Sequence, residues 1–209
     1  MKRGRRDGRD TPSDFPAINR SRPMITDRRS MLTGLAVAVA SPLALATLSS
    51  RAFAAIPMIS PMDLKAPLDF YGSVLPRAEL SLATSQIAVG MATQKNTMEF
   101  AGFELGEAIT VNMVLKDLGA MAPKMDGDTM MVVETMKTAE KGRAFDEAYI
   151  ALQLKNHEEL RDLADAFLHN TAGGTDPDVK QGRHLASLML AVFKEHVAIC
   201  KRITGELKA

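Results

Sequence analysis

Residues 143–170 read RAFDEAYIALQLKNHEELRDLADAFLHN, and the spacing of their apolar side chains decides the fold. Phe145, Tyr149, Leu152, Leu160, Leu163, Ala164 and Phe167 return to one side of a chain that turns by about 100° per residue, the period of an α-helix. Gly142 in front and Gly173-Gly174 behind bound the segment, glycine being the residue that leaves helical geometry most readily. A helix this long with one apolar stripe must bury the stripe against other helices. The rest of the chain supplies them. One helix is expected from Leu68 to Ala92, bent at Pro76, where the ring removes a backbone hydrogen bond. A second opens at Asn96, with Glu99 three residues on as in a capping box, and closes at Gly119. A shorter helix spans Asp128 to Lys141. The last begins at Asp176-Pro177, a capping residue followed by proline at the first helical position, and runs to Glu206. No strand-like alternation competes. The expected fold is all-α: an antiparallel four-helix bundle over residues 68–209, ferritin-like, with a short extra helix between helices 2 and 3.

The same phase places polar side chains inside. On the second helix the apolar face is Phe100, Phe103, Val111, Val114, Leu115 and Leu118, with Glu104 and Glu107 projecting from its middle. On the third, Gln153, Asn156 and His157 fall in or beside the stripe. On the last, Leu185, Met189, Val192, Ile199, Cys200 and Ile203 make the stripe and His196 lies near its centre, whereas His184 and His169 face solvent. An unpaired buried carboxylate is costly, so Glu104, Glu107, His157 and His196 should meet one another or a cation. The reading favoured by spacing is a structural hydrogen-bonded cluster that needs no cofactor, in a non-enzymatic protein with a structural, stress-related or partner-binding role. The alternative is a metal-binding or redox protein with a transition-metal site on these four residues. A di-metal oxidase site fits poorly, because such sites use Glu-x-x-His on two helices and here Leu154 and Phe193 stand three residues before the histidines.

Phe100-Ala101, Glu107-Ala108 and Asn112, then Phe145-Asp146-x-x-Tyr149 with Asn156-His157, and finally Glu195-His196, resemble the spaced motifs of the domain of unknown function 4142 family. The resemblance covers roughly the C-terminal 140 residues. It implies an exported, ferritin-like helical protein and carries no established activity. Ala108 stands where the family has His, Asn156 where it has Asp, and Leu190-Ala191 where it has Leu-Pro. The resemblance therefore implies a reduced set of inward ligands.

The first 54 residues hold ten Lys or Arg and four Asp or Glu, which leaves 16 basic and 21 acidic residues for the remainder. An acidic body without a Lys/Arg cluster excludes nucleic acid as a partner. The single cysteine, Cys200, excludes an intramolecular disulfide. No Gly-x-Ser-x-Gly and no glycine-rich phosphate loop occurs, so nucleophilic hydrolysis and nucleotide chemistry find no support. Residues 27–33, Asp-Arg-Arg-Ser-Met-Leu-Thr, precede an apolar run from Leu32 to Leu48, and Ala52-Phe53-Ala54 offers the small residues that a signal peptidase reads. Arg28-Arg29 resembles a twin-arginine signal, and a leader starting at Met24 is also complete. The expected organisation is a twin-arginine signal peptide with a disordered basic N-terminus over 1–54, a linker over 55–67 and the helical domain over 68–209. The partners in export are then the twin-arginine translocase and signal peptidase, with cleavage after Ala54. The destination is the periplasm or the exterior, and no stable membrane span remains after cleavage. Changing Arg28 and Arg29 together to lysine should leave uncleaved precursor in the cytoplasm, as read by fractionation and immunoblotting; normal levels of mature periplasmic protein would contradict the twin-arginine assignment.

Overall fold

The computed structural model describes residues 60–209. The signal over 1–54, with Arg28, Arg29 and the Ala54 cleavage point, lies outside the described residues, as does linker segment 55–59. The described chain is all-helical, with five α-helices and no strand. They are α1 (Pro67–Met91), α2 (Lys95–Asp117), α3 (Gly127–Thr138), α4 (Arg143–Asn170) and α5 (Pro177–Lys208). Helix α4 packs chiefly on α5 and α1 on α2, with further contacts from α1 to α4 and from α3 to α1. Among the described residues no helix is long and apolar enough to cross a membrane.

The helix boundaries follow local chemistry, which in two places differs from the expected caps. Helix α2 is capped by Gln94, whose side chain accepts from the Thr97 amide at 2.7 Å. Asn96, expected as the cap, instead donates to Glu206 at 2.7 Å. The reason is Asp146 on α4, a buried carboxylate reached by the Thr93 amide at 3.0 Å, the Thr93 hydroxyl at 2.6 Å and the Gln94 amide at 2.9 Å. It holds the backbone extended ahead of the helix, and the cap falls two residues earlier in the chain than expected. Helix α3 begins after Asp126, whose carboxylate accepts from the Thr129 amide at 2.8 Å, and not at Asp128. Gly119 ends α2 at a φ of 89°, a left-handed conformation that glycine enters at little cost. The proline-rich stretch ahead of α1 is not an extended linker throughout. Residues Pro61–Asp63 form one 3₁₀ turn, Leu64 is wholly buried, and Asn170 donates to the Pro61 carbonyl at 2.6 Å.

The apolar core falls into two clusters. One gathers Leu64, Phe70, Val74, Leu115, Leu163 and Phe167. The other gathers Leu80, Phe100, Val132, Tyr149, Cys200 and Ile203. Each long helix contributes to both, so each passes from one apolar end to the other. Between the ends the buried residues turn polar: Arg77 and Ser81 on α1, Glu104 on α2, Gln153, Asn156 and His157 on α4, and His196 on α5. Part of this belt is a hydrogen-bonded seam. Ser81 donates to Gln153 at 3.0 Å, Asn156 donates to Ser81 at 3.0 Å, and Gln153 donates to Thr84 at 3.1 Å. Arg77, with no exposed surface, forms an ion pair with Glu159.

Several expected faces shift by about one position. Phe103, expected inside, is 63% exposed, and Val192 is exposed while its neighbour Phe193 is buried. Val111, Val114, Leu118, Leu185 and Ile199 are half-buried. On α2 the buried stripe is Thr97, Phe100, Ala101, Glu104, Ala108, Asn112 and Leu115. Glu104 therefore stands at its centre and Glu107 at its edge. The α4 stripe is buried throughout as its spacing implies.

Candidate metal centre

Three elements converge on one point of the polar belt. Glu104 projects from α2 one turn after Phe100, His157 from α4 one turn after Gln153, and His196 from α5 between Phe193 and Cys200. All three side chains are at least nine-tenths buried. Helical geometry fixes one ring directly. His157 Nδ1 lies 2.8 Å from the Gln153 carbonyl oxygen one turn earlier. A carbonyl only accepts, so Nδ1 carries the proton and Nε2 turns inward.

The inward atoms are close together. His157 Nε2 lies 3.3 Å from Glu104 Oε2, His196 Nδ1 lies 3.0 Å from the same oxygen, and the two nitrogens are 3.1 Å apart. The far nitrogen of His196, Nε2, is 3.1 Å from Glu107 Oε2. Phe100 meets the His196 ring edge-on at 5.2 Å and Phe193 meets the His157 ring at 6.0 Å, so aromatic walls limit the tilt of both imidazoles.

Of the four residues singled out by sequence, Glu104, His157 and His196 meet. Glu107 does not join them: it is nearly half exposed and sits behind His196, as an outer partner to that ring. His184 and His169 are exposed. Cys200 is buried one turn beyond His196, and burial together with the Glu104 charge pushes its thiol up, so it stays protonated.

Glu104 Oε2 has charged neighbours and no aimed donor. Both imidazoles stand within 3.3 Å of it, but the atom makes no well-aligned hydrogen bond. A buried carboxylate oxygen in that position costs several kcal/mol unless a cation offsets it. Burial alone would raise the Glu104 pKa; the two imidazoles outweigh it and hold the carboxyl well below the usual range. Burial would lower the His196 pKa, but Glu104 and Glu107 on its two sides push it up to about 9. Without a metal the cluster is therefore an imidazolium between two carboxylates.

A cavity of about 390 Å³ lies against the cluster, with Glu104, Glu107 and His157 in its wall. The rest of the lining is mainly apolar and comes from α1, α2, α4 and α5. Gln153 and Asn156 are buried as their spacing implies; sequence reasoning missed Phe193 and the α1 hydroxyls, Ser81 above all, to which these amides bond. The signal for the seam was the i, i+3, i+4 pattern of Ser81, Thr84 and Ser85 on α1, small polar residues that pass for helix surface.

Comparisons of this chain with protein-family models, curated proteins and solved structures find no match.

The titration of His196 has a consequence for the stability of metal-free protein. Its folded pKa is above the unfolded value of 6.5, so its contribution is complete below pH 6.5 and is lost as pH rises through about 9. Metal-free protein should lose up to about 3 kcal/mol across that interval, seen as a falling denaturation midpoint, and His196→Gln should flatten the decline. The same slope in both proteins would rule out a buried imidazolium at this position.

Proposed function

We propose that this chain is an exported four-helix-bundle protein that binds one divalent transition-metal ion through Glu104 Oε2, His157 Nε2 and His196 Nδ1. The observation that carries the reading is the spacing of those three atoms, 3.0, 3.1 and 3.3 Å apart. Metal–nitrogen and metal–oxygen distances of about 2.0–2.1 Å set neighbouring ligands about 3.3 Å apart in a tetrahedron and about 3.0 Å apart in an octahedron. An ion about 1 Å above the plane of the three atoms satisfies either geometry. The far sides of the rings agree. Ligating histidines usually give their other ring nitrogen to a carbonyl or carboxylate, which fixes orientation. Here the Gln153 carbonyl stands behind His157 and the Glu107 carboxylate behind His196.

Two imidazoles and one carboxylate leave coordination positions open, the pattern of reactive rather than closed structural sites. Such a centre suits Zn(II) as a Lewis acid or Fe(II) in oxygen chemistry. Residue spacing alone favoured a metal-free structural cluster. The Glu104 oxygen that lacks a well-aligned hydrogen bond supports the metal reading, and the His196 Nδ1–His157 Nε2 contact and the imidazolium beside Glu104 support the structural one.

The bundle reading is supported by the order in which helices visit the two apolar clusters. Helices α1 and α5 run from the Leu64 end to the Tyr149 end, and α2 and α4 run the other way. The α2–α4 connection must then return the length of the domain, and it carries α3. One long crossover of this kind is the ferritin-like topology. It agrees with the resemblance to the domain of unknown function 4142 family. Twin-arginine export suits a protein that folds around its metal before translocation.

Equilibrium dialysis of chelator-stripped protein against Co(II) or Zn(II) should give one ion per chain. His157→Ala, His196→Ala and Glu104→Ala should show no uptake at the metal concentration that saturates wild type, and Glu107→Gln should keep the stoichiometry while weakening affinity by about 10–100-fold. Uptake by wild type no greater than by His196→Ala would return the cluster to its structural reading.

A further inference from the structure

The cavity beside the cluster has one polar wall. Glu104, His157 and Glu107 stand on that wall. Its two remaining hydroxyls are already engaged, Ser81 with Gln153 and Thr110 with the Gly106 carbonyl. Away from the wall the lining is Val74, Leu160, Met189 and Phe193. The rim carries Leu188 and Val192, 70% and 37% exposed, where solvent would favour polar side chains. No lysine or arginine lines the space. At about 30 Å³ per small group, the volume takes about a dozen non-hydrogen atoms. This is the low end of the range for small-molecule sites.

We infer that this cavity binds a medium-chain carboxylate, its head on the metal held by Glu104, His157 and His196 and its tail between α2 and α5. The inference rests on the metal reading and extends it to a ligand class. Within the ligand shell one carboxylate and two neutral imidazoles leave a divalent ion with one net positive charge and open positions, which an anionic oxygen fills; Glu107, on the same wall, stands outside that shell behind His196. Without the metal the same wall presents two carboxylates and would repel that head. An apolar tail of about nine or ten carbons then fills the remaining space and removes the rim side chains from water. A neutral alcohol of equal length would gain the tail contacts and forgo most of the head interaction.

Decanoate and decanol are suitable probes, titrated calorimetrically into metal-loaded and chelator-stripped protein. Decanoate should bind the loaded protein at least 10-fold more tightly than the stripped protein and alter the Co(II) absorption spectrum. Decanol should bind both forms alike. Two cavity-filling variants test the location. Gly106→Leu adds a side chain where a Cβ would meet no atom within 4 Å, and Ala108→Leu fills the wall beside Glu104. Either variant should retain metal and lose decanoate by at least 10-fold. Metal uptake without binding of either probe would overturn the cavity assignment and leave the metal reading standing. Decanoate binding indifferent to metal would overturn the head-group assignment, and if no metal is taken up the metal reading fails with it. Undiminished decanoate binding in both variants would place the ligand elsewhere.

Discussion

A carboxylate in the middle of a helical core is the constraint on which the rest of this structure depends. Glu104 has almost no exposed surface and stands between two imidazoles from other helices. Desolvating a carboxylate costs several kcal/mol, more than any one contact around it returns. Helices α2, α4 and α5 must therefore hold a phase that brings His157 and His196 to the same point as Glu104. A rotation of α5 by one residue would exchange His196 for its exposed neighbour Glu195 and set two carboxylates together. Polar burial of this kind adds little net stability but penalises other registers heavily.

The two apolar clusters supply the stability that the polar belt does not. They lie at opposite ends, each fed by every long helix, so the belt is fixed from both sides. Phe100 and Phe193 reach from these clusters to the imidazoles and limit their tilt. A site whose ring orientations are set by packing and by outer acceptors changes little on taking up a cation, and that is the condition for tight, selective binding. The open wall towards the cavity is the one side without such support. There the groups that meet solvent are Gly106, Glu107 and Thr110 on α2 and the α5 rim.

Much of this was legible in the residue spacing. Helix α4 was readable to its ends because glycines bound it and its stripe is unbroken. The inward positions of Glu104, His157 and His196 followed from the same periodicity. What spacing missed has local physical causes. Phe103 and Val192 are apolar yet face outward, because the neighbouring Glu104 and Phe193 take the inward positions. An i, i+3, i+4 rule cannot choose between adjacent residues when both have apolar neighbours one turn away. The true cap of α2 was hidden because Asp146, fifty residues downstream, fixes the backbone before it. Glu107 does reach the cluster, but only from outside, through the far nitrogen of His196. It shares a helix face with Glu104, but lies on the far side of His196.

The most direct test of the account is X-ray absorption spectroscopy at the K-edge of Co(II) or Zn(II) bound to the protein at one equivalent. The expected first shell contains nitrogen and oxygen at about 2.0–2.2 Å, with outer-shell scattering from two imidazole rings that falls to one ring in His157→Ala reloaded at high metal concentration. A shell of oxygen alone, with no imidazole scattering and no change in the variant, would show that the ion sits on surface carboxylates and that Glu104, His157 and His196 form a metal-free cluster.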